Sequence, residues 1–381
     1  MATIGLILAC FGSVFNVLTD VSRKKILDRQ YDATVIGFWC KLVALGFYLA
    51  ALGIAVACGT GLQLPPIGAS MKVSPQVAFV LYLMLNAVLE GSAILLSYLA
   101  LQVSPLSLCV PFMALSPVFL LPIGKFFLHE QILPGMIVGV LVVVIGSLVI
   151  NRQLVANGWL EPAKSIVREK GTRYMLVVAM LLALTAALDK WFVTSGGDVA
   201  FGVRLSRSFT LSIGKSVMLA LFFLGLAAWR LRRNQPSKKA AVANPWTQAW
   251  RDVPRWIVLA SFFEGVVLVL QLLAVQFTVV AVVISIKRSG ILLACVLGWF
   301  IFKERGITDR VIGSCVMIAG VVVFFLTKPD AHGVAMIGFT GALGVAAVAL
   351  AGTGVALYLT HPKPVPEHVK PDLVEEVESE P

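Results

Sequence analysis

The sequence predicts an all-α polytopic membrane protein with an inverted repeat of five plus five transmembrane helices and one additional C-terminal transmembrane helix. Composition, a series of apolar runs and an internal duplication predict this fold. Hydrophobic residues make up 59% of the 381 residues and charged residues 13%, and the mean hydropathy is +0.91. A soluble domain has fewer apolar residues and about twice as much charge, so the chain belongs in a bilayer.

Apolar runs recur along nearly the whole chain, and each is long enough to cross ~30 Å of hydrocarbon as a helix. We predict eleven of them, at approximately residues 2–19, 34–57, 76–100, 105–124, 132–150, 174–194, 205–229, 257–276, 279–302, 311–327 and 334–359. They lack the alternation over roughly ten residues that is typical of an outer-membrane barrel. We therefore expect helices, in the inner (plasma) membrane of a bacterium.

The middle of the chain contains an internal sequence repeat. Residues 90–146 fall without a gap on residues 264–320 when they are shifted by 174 positions. The matched positions include Glu90 with Glu264, Gly124 with Gly298, Glu130 with Glu304, Gly139 with Gly313, and Gly146 with Gly320. A duplicated unit follows from this match.

A second shift extends the duplication towards the N-terminus. Moving the chain by 166 positions places Lys24 on Lys190, Asp32 on Asp198 and Lys41 on Arg207, which is weaker support because only three polar positions match. The predicted units are a first repeat at 1–150, a polar connector at 151–173, a second repeat at 174–328, an extra helix at 334–359 and a tail at 361–381. Five helices is an odd number, so the copies enter the membrane from opposite sides, as in many transporters.

Two motifs resemble those of the EamA family of the drug/metabolite transporter superfamily. The first runs from Pro105 through Pro117 and continues to Gly124-x5-Glu130, and the second is Lys287-Arg288-Ser-Gly followed by Gly298-x5-Glu304. The resemblance covers about residues 1–328. It implies a ten-helix carrier with a central cavity between inverted halves, whose relatives move substrates ranging from amino acids to lipid-linked sugars.

The eleventh predicted helix has no counterpart in the repeat. Gly338, Ala342 and Ala346 lie on one face at four-residue spacing, which permits close helix contact. We expect this helix to pack on the bundle, on another copy of the chain or on a partner. Beyond it, residues 361–381 are acidic and rich in proline, a composition that predicts a disordered tail.

The distribution of basic residues predicts the orientation. Of the segments between predicted helices, the set that follows helices 1, 3, 5, 7 and 9 carries 19 Lys and Arg, and the alternate set carries 4. Basic loops face the cytoplasm, so we expect the N-terminus outside and the C-terminal tail inside. The resemblance implies two cytoplasmic termini instead. The same rule explains the net charge of +11 without a nucleic-acid partner.

Charged side chains within the apolar runs are the candidate substrate or ion ligands, because each is costly in a membrane unless it is paired or hydrated. They are Lys41, Glu90, Glu264, Lys287 and Arg288. We expect Glu90 and Glu264 to face the central cavity, where burial favours a neutral carboxyl that can exchange a proton. The Lys287-Arg288 pair, opposite Met113-Ala114 in the first repeat, could bind a carboxylate or phosphate group of a substrate.

Other interpretations of these residues stay open. Glu264 could form a fixed pair with Lys287 or Arg288, whereas Glu90 has no cation in the fourth predicted helix to match it. The residues considered for a gate or cavity lining are Asn16, Trp39, Tyr98, Phe112, Lys190, Arg207 and Gln271. The basic ones, like Lys41, could instead reach the interface, and the aromatic ones could serve packing. Glu130 is interpreted as a structural cap.

The sequence argues against an enzyme, a metal site and a bound cofactor. The four histidines fall outside the apolar runs, the six cysteines have no CxxC spacing, and no phosphate-binding loop is present. The energy for transport would therefore come from an ion gradient, such as a proton gradient, or from exchange of one solute for another. The solute could be a small molecule or a lipid-linked substrate. A non-transporting scaffold is the third interpretation, and it predicts an apolar centre between the halves.

Overall fold

The computed structural model describes residues 2–27, 33–57, 61–65, 74–103, 115–150, 170–197, 199–233, 250–290, 293, 307–327 and 338–359. Eleven helices of ten or more residues lie in these ranges: α1 (Ala2–Leu27), α2 (Ala33–Ala57), α3 (Pro75–Val103), α4 (Ser116–Phe126), α5 (Pro134–Ile150), α6 (Lys170–Thr194), α7 (Phe201–Arg233), α8 (Pro254–Ala274), α9 (Val280–Ser289), α10 (Ile307–Thr327) and α11 (Phe339–Leu359). The all-α prediction is confirmed.

Four of the described helices have a proline at their first or second residue. Pro75, Pro134 and Pro254 open α3, α5 and α8, and Pro117 is the second residue of α4. Proline suits the first turn because its fixed φ is already helical and its missing N–H would have no partner there. These prolines therefore define where the chain enters each helix.

Among the described residues, six helices are long and apolar enough to cross a membrane, within residues 3–23, 34–56, 75–97, 173–194, 201–230 and 254–274. Shorter apolar helices are described at 116–126, 134–146, 312–324 and 339–354. Large apolar side chains such as Ile54, Phe126 and Val348 keep 69%, 75% and 74% of their surface exposed. An exterior of this kind is suited to hydrocarbon, so the chain is an integral membrane protein.

Helix contacts between the two halves follow a two-fold pattern. Contact α1–α8 is matched by α3–α6, α1–α9 by α4–α6, and α2–α8 by α3–α7. Contacts α2–α7, α4–α9 and α5–α10 each map onto themselves when the halves are exchanged. This is the pattern that a two-fold axis between the repeats produces. The repeat boundaries themselves remain a prediction.

Glycines bring α5 and α10 into backbone contact. A Cβ atom on Gly139 would lie 2.9 Å from the carbonyl oxygen of Gly320, and one on Gly146 would lie 2.7 Å from that of Gly313. The shift of 174 positions exchanges these two contacts with each other. Only residues without a side chain permit this approach, which is typical of tightly packed membrane helices.

Helix α11 packs on α5 and α10. Ala342 and Ala346 are buried there among Val138, Val142 and Val323. Bundle packing, one of the expected arrangements, is confirmed for these two alanines. Gly338 does not share it, because a Cβ there would meet open space. The acidic tail at 361–381 lies outside the described residues.

Candidate substrate cavity

A cavity of about 160 Å³ lies between the halves, with side chains from α1 to α4 and α6 to α9 around it. A water-sized probe needs about 10–15 Å³, so several waters or a small solute fit. Eight charged residues line the cavity: Arg23, Lys41, Glu90, Asp189, Lys215, Glu264, Lys287 and Arg288. The five charged residues singled out in the sequence are all among them.

Glu264 is held by cations from α1 and α2. Nη2 of Arg23 lies 2.9 Å and Nζ of Lys41 lies 2.7 Å from its Oε1 atom. The fixed pair considered in the sequence would have linked α8 to α9 instead. Lys41 is buried, with 7% of its surface exposed, so it does not extend outwards as the interface interpretation requires. These two ion pairs hold α8 against α1 and α2.

Glu90 shares a cation with a second carboxylate. Nζ of Lys215, in α7, lies 2.9 Å from Oε2 of Glu90 and 2.7 Å from Oδ2 of Asp189, in α6. The fourth predicted helix, where a partner for Glu90 was expected, contains no cation to match it. The partner comes from α7 because α3 packs on both α6 and α7.

Asp189 accepts hydrogen bonds on both oxygens. The hydroxyl of Tyr82 donates to Oδ1 at 2.5 Å, Nδ2 of Asn86 donates to the same atom at 2.9 Å, and Lys215 donates to Oδ2. The Tyr82 ring is stacked on Phe192 with a centroid distance of 4.7 Å, which fixes the direction of the hydroxyl. A carboxylate with three donors is stabilised in its charged form.

Asp189 and Lys215 were missed in the sequence, although both lie within predicted apolar runs at 174–194 and 205–229. The signal was the one that identified Glu90 and Glu264, a charge in apolar surroundings. Arg23 was counted as a loop residue because the first run was ended at residue 19. Helix α1 continues to Leu27, so Arg23 reaches the cavity.

The cationic pair of α9 lies at the cavity as well. Nζ of Lys287 donates to Oε1 of Gln271 at 3.0 Å, and Arg288 follows in the last turn of the helix. A Cβ atom on Gly290 would lie 2.3 Å from Oγ of Ser13, so the end of α9 lies tightly against α1. Asn16 and Gln271, which were considered for a gate or cavity lining, both line this cavity.

Lys190 lies at a junction between the halves rather than in the cavity lining. It forms an ion pair with Glu130 and donates to the carbonyl of Thr278 at 2.6 Å. Glu130 also accepts the backbone N–H of Val280 at 3.1 Å. The cap predicted for Glu130 is therefore present, at the start of α9.

Arg207 and Trp39 serve packing and backbone contacts. The Arg207 guanidinium donates to the carbonyl of Ser195 at 2.8 Å, and the Trp39 ring lies 5.0 Å from that of Trp250. Neither belongs to the described cavity lining. The side chain of Tyr98, and the whole of Phe112, lie outside the described residues.

The described lining carries an excess of positive charge. Five of its charged residues are cations and three are carboxylates. Glu264 with Arg23 and Lys41 is one unit positive, Lys215 with Glu90 and Asp189 is one unit negative, and Lys287 with Arg288 adds two positive units. An anionic group of a solute would be attracted to such a cavity.

Part of the chain is similar to a known protein family. The model of the EamA-like transporter family matches residues 3–152. No curated protein matches the chain. A solved crystal structure, described only as that of a protein, is similar with a TM-score of 0.55 and 14% identity over 84% of this chain and 97% of the other. This likeness shows a shared fold. The family match covers less than half of the chain, and the matched part includes the first of the two motifs that resemble this family.

Proposed function

We propose that the protein is a secondary-active transporter that moves a small solute by alternating access at the cavity between its halves. The family match supports a membrane transporter of the drug/metabolite type. Two repeats in a two-fold arrangement offer equivalent paths to opposite sides of the membrane, and rocking between them alternates access to a shared site.

One observation carries this proposal, namely the eight charged side chains around the cavity. A scaffold has no need for ions in its centre, and apolar residues would fill the same space at lower cost. Groups such as Lys215, with 3% of its side chain exposed, are retained in membrane interiors where ions or polar solutes bind. A carrier explains their presence, whereas a scaffold does not.

We further propose that the solute carries an anionic group, such as a carboxylate or phosphate. The five cations against three carboxylates in the described lining support this. Lys287 and Arg288 are the ligands of choice because the first repeat has Met113 and Ala114 at their positions. Arg offers a planar fork for two anionic oxygens and Lys a point charge.

The test is solute flux in proteoliposomes that contain the purified protein. Carboxylates, phosphorylated compounds, amino acids, organic cations and lipid-linked sugars are offered in turn, with Lys287→Gln, Arg288→Gln and the exposed Lys125→Gln as a control. We expect flux of an anionic solute that falls about tenfold or more in the first two variants, since a charge-assisted hydrogen bond contributes about 1.5–3 kcal/mol. Absence of flux for every class would contradict the transporter, and equal flux in all variants would contradict the ligand assignment.

A further inference from the structure

The two halves differ in charge at one pair of equivalent positions beside the central glutamates. A shift of 166 positions places Arg23 on Asp189, just as a shift of 174 places Glu90 on Glu264. Across α1–α8, Arg23 forms an ion pair with Glu264. In the equivalent contact α3–α6, an acid stands where the arginine would be. The result is a second carboxylate beside Glu90, with Lys215 between them.

Two carboxylates around one ammonium leave a surplus negative charge. Both carboxylates lie within 3 Å of Nζ of Lys215, whose side chain is 3% exposed. Lys41 also lies near Glu90, but it is hydrogen-bonded to Glu264, so the immediate partners of the two carboxylates leave one negative charge unbalanced, which is costly in a membrane interior. Two carboxylates that share a site relieve this cost by binding a proton on one of them.

The geometry decides which carboxylate binds the proton. Asp189 is 4% exposed in its side chain and receives three hydrogen bonds, which a proton would disrupt. Glu90 is 19% exposed towards the cavity, and among the described residues its ion-pair partner is Lys215, which it shares with Asp189. We propose that Glu90 binds and releases the proton that couples transport to a proton gradient.

Other charged groups near Glu90 leave this assignment in place. The titratable and charged groups around it are Lys41 and Tyr48 of α2, Asp189 of α6, Lys215 of α7 and Glu264 of α8, with Tyr82 on α3 itself and with Arg23, Lys287 and Arg288 further along the cavity wall. Lys41 is hydrogen-bonded to Glu264 and Lys215 to Asp189. Both nearby ammonium groups are thus engaged by another carboxylate.

The proton balance is simple. Glu90 takes a proton from water on one side of the membrane, becomes a neutral acid, and returns the proton to water on the other side, while Lys215 and Asp189 remain an ion pair. This step rests on the proposed transport function. Protonation adds one positive unit to a cation-rich cavity, so proton and anionic solute favour each other's binding and travel in the same direction.

A transport-independent experiment tests the proton site. Infrared difference spectra of the purified protein between acid and alkaline pH detect the carbonyl stretch of a protonated side-chain carboxyl. We expect a band that Glu90→Gln removes and that the matched variant Glu264→Gln retains, with circular dichroism reporting that both fold. A band that persists in Glu90→Gln would overturn the assignment.

A flux experiment then tests the coupling. An exterior that is about one pH unit more acidic than the interior can raise the accumulation of the solute up to about tenfold, when one proton crosses with each solute molecule. We expect this response in the wild type and in Lys125→Gln, whereas any flux that remains in Glu90→Gln should be the same with and without the pH gradient. A pH response that survives in Glu90→Gln overturns the inference while the transporter stands. A Glu90-dependent band without any flux upholds the proton site and rejects the transporter.

Discussion

Glu130 joins three segments through one carboxylate. It pairs with Lys190 of α6 and accepts the N–H of Val280 at the start of α9, while its own backbone N–H donates to the carbonyl of Gly124 at 2.9 Å. The exposed fractions of the Glu130 and Lys190 side chains are 6% and 14%. Such a pair, once formed, is costly to break because the remaining charge stays buried.

We predict that Glu130→Gln lowers the free energy of unfolding by about 3–5 kcal/mol, the usual range for removing one partner of a buried pair. Denaturant unfolding in detergent measures this. The double variant with Lys190→Met should be less destabilised than the sum of the single variants, because the orphan charge is gone. Lys125→Gln, an exposed change nearby, should stay within about 0.5 kcal/mol. Additive effects would contradict the pairing.

Residues in the cavity could be predicted from the sequence because an ion in an apolar run has few reasons to be there. Lys41, Glu90, Glu264, Lys287 and Arg288 all line one cavity, and their role as substrate or ion ligands stays a prediction. Their partners were not, since a partner depends on which helices are neighbours. Glu264 meets cations from α1 and α2, which precede it by more than two hundred positions.

Helices α5 and α10 approach through glycine, and this contact makes a prediction at the scale of the element. Gly146→Ala places a Cβ 2.7 Å from the carbonyl oxygen of Gly313, closer than van der Waals contact, so the helices must separate. We expect a loss of about 1–3 kcal/mol of stability, the usual cost of overpacking. Thermal unfolding in detergent measures it.

Gly46 offers the matched control for that substitution. It lies in α2 with open space around its would-be Cβ, so Gly46→Ala meets no atom within 4 Å. Alanine favours the helical backbone over glycine by about 0.5–1 kcal/mol, so this variant should be as stable as the wild type or more so. Equal destabilisation of both variants would show that the α5–α10 contact is not the cause.

Helix positions were predictable, but their ends were less so. The run at 205–229 became α7, Phe201–Arg233, and the run at 2–19 became α1, Ala2–Leu27. Hydropathy marks only the apolar part of a helix, whereas backbone hydrogen bonding continues into the polar turns at either end. The run at 105–124 is described only from residue 115 onwards, where α4 begins at Ser116.

Orientation is a property of the whole molecule, and the basic residues predict it. Between the predicted apolar runs, nineteen Lys and Arg, Arg23 of the cavity among them, fall on the side expected to be cytoplasmic and four on the other. We expect a fluorescent reporter fused after Pro381 to fluoresce and an alkaline phosphatase fused there to be inactive, since the phosphatase works only outside the cytoplasm. Removing the basic residues of 230–239 serves as the control, because it weakens the charge difference. An active phosphatase would reverse the proposed orientation.

The two-fold arrangement could be predicted because the repeat is visible in the sequence and a five-helix unit is odd. Gly139, Gly146, Gly313 and Gly320 were matched by the shift of 174, and in the structure they meet as two equivalent contacts. The shift could not show that Asp189 faces Glu90, because Arg23 and Asp189 occupy equivalent positions with opposite charge. Equivalent positions of the two repeats lie at equivalent places in the fold, but their side chains can differ in charge.

That single difference between Arg23 and Asp189 bears on the resting state of the proposed carrier. If both halves were identical, the forms open to either side would have equal free energy, since each half would simply take over the other's contacts. The inequality between the two forms therefore resides in the positions where the halves diverge, and the pair Arg23 and Asp189 is one of them. About 1.4 kcal/mol there shifts the resting population tenfold. One difference of this size beside a central glutamate is thus enough to determine the side of the membrane to which the resting carrier is open.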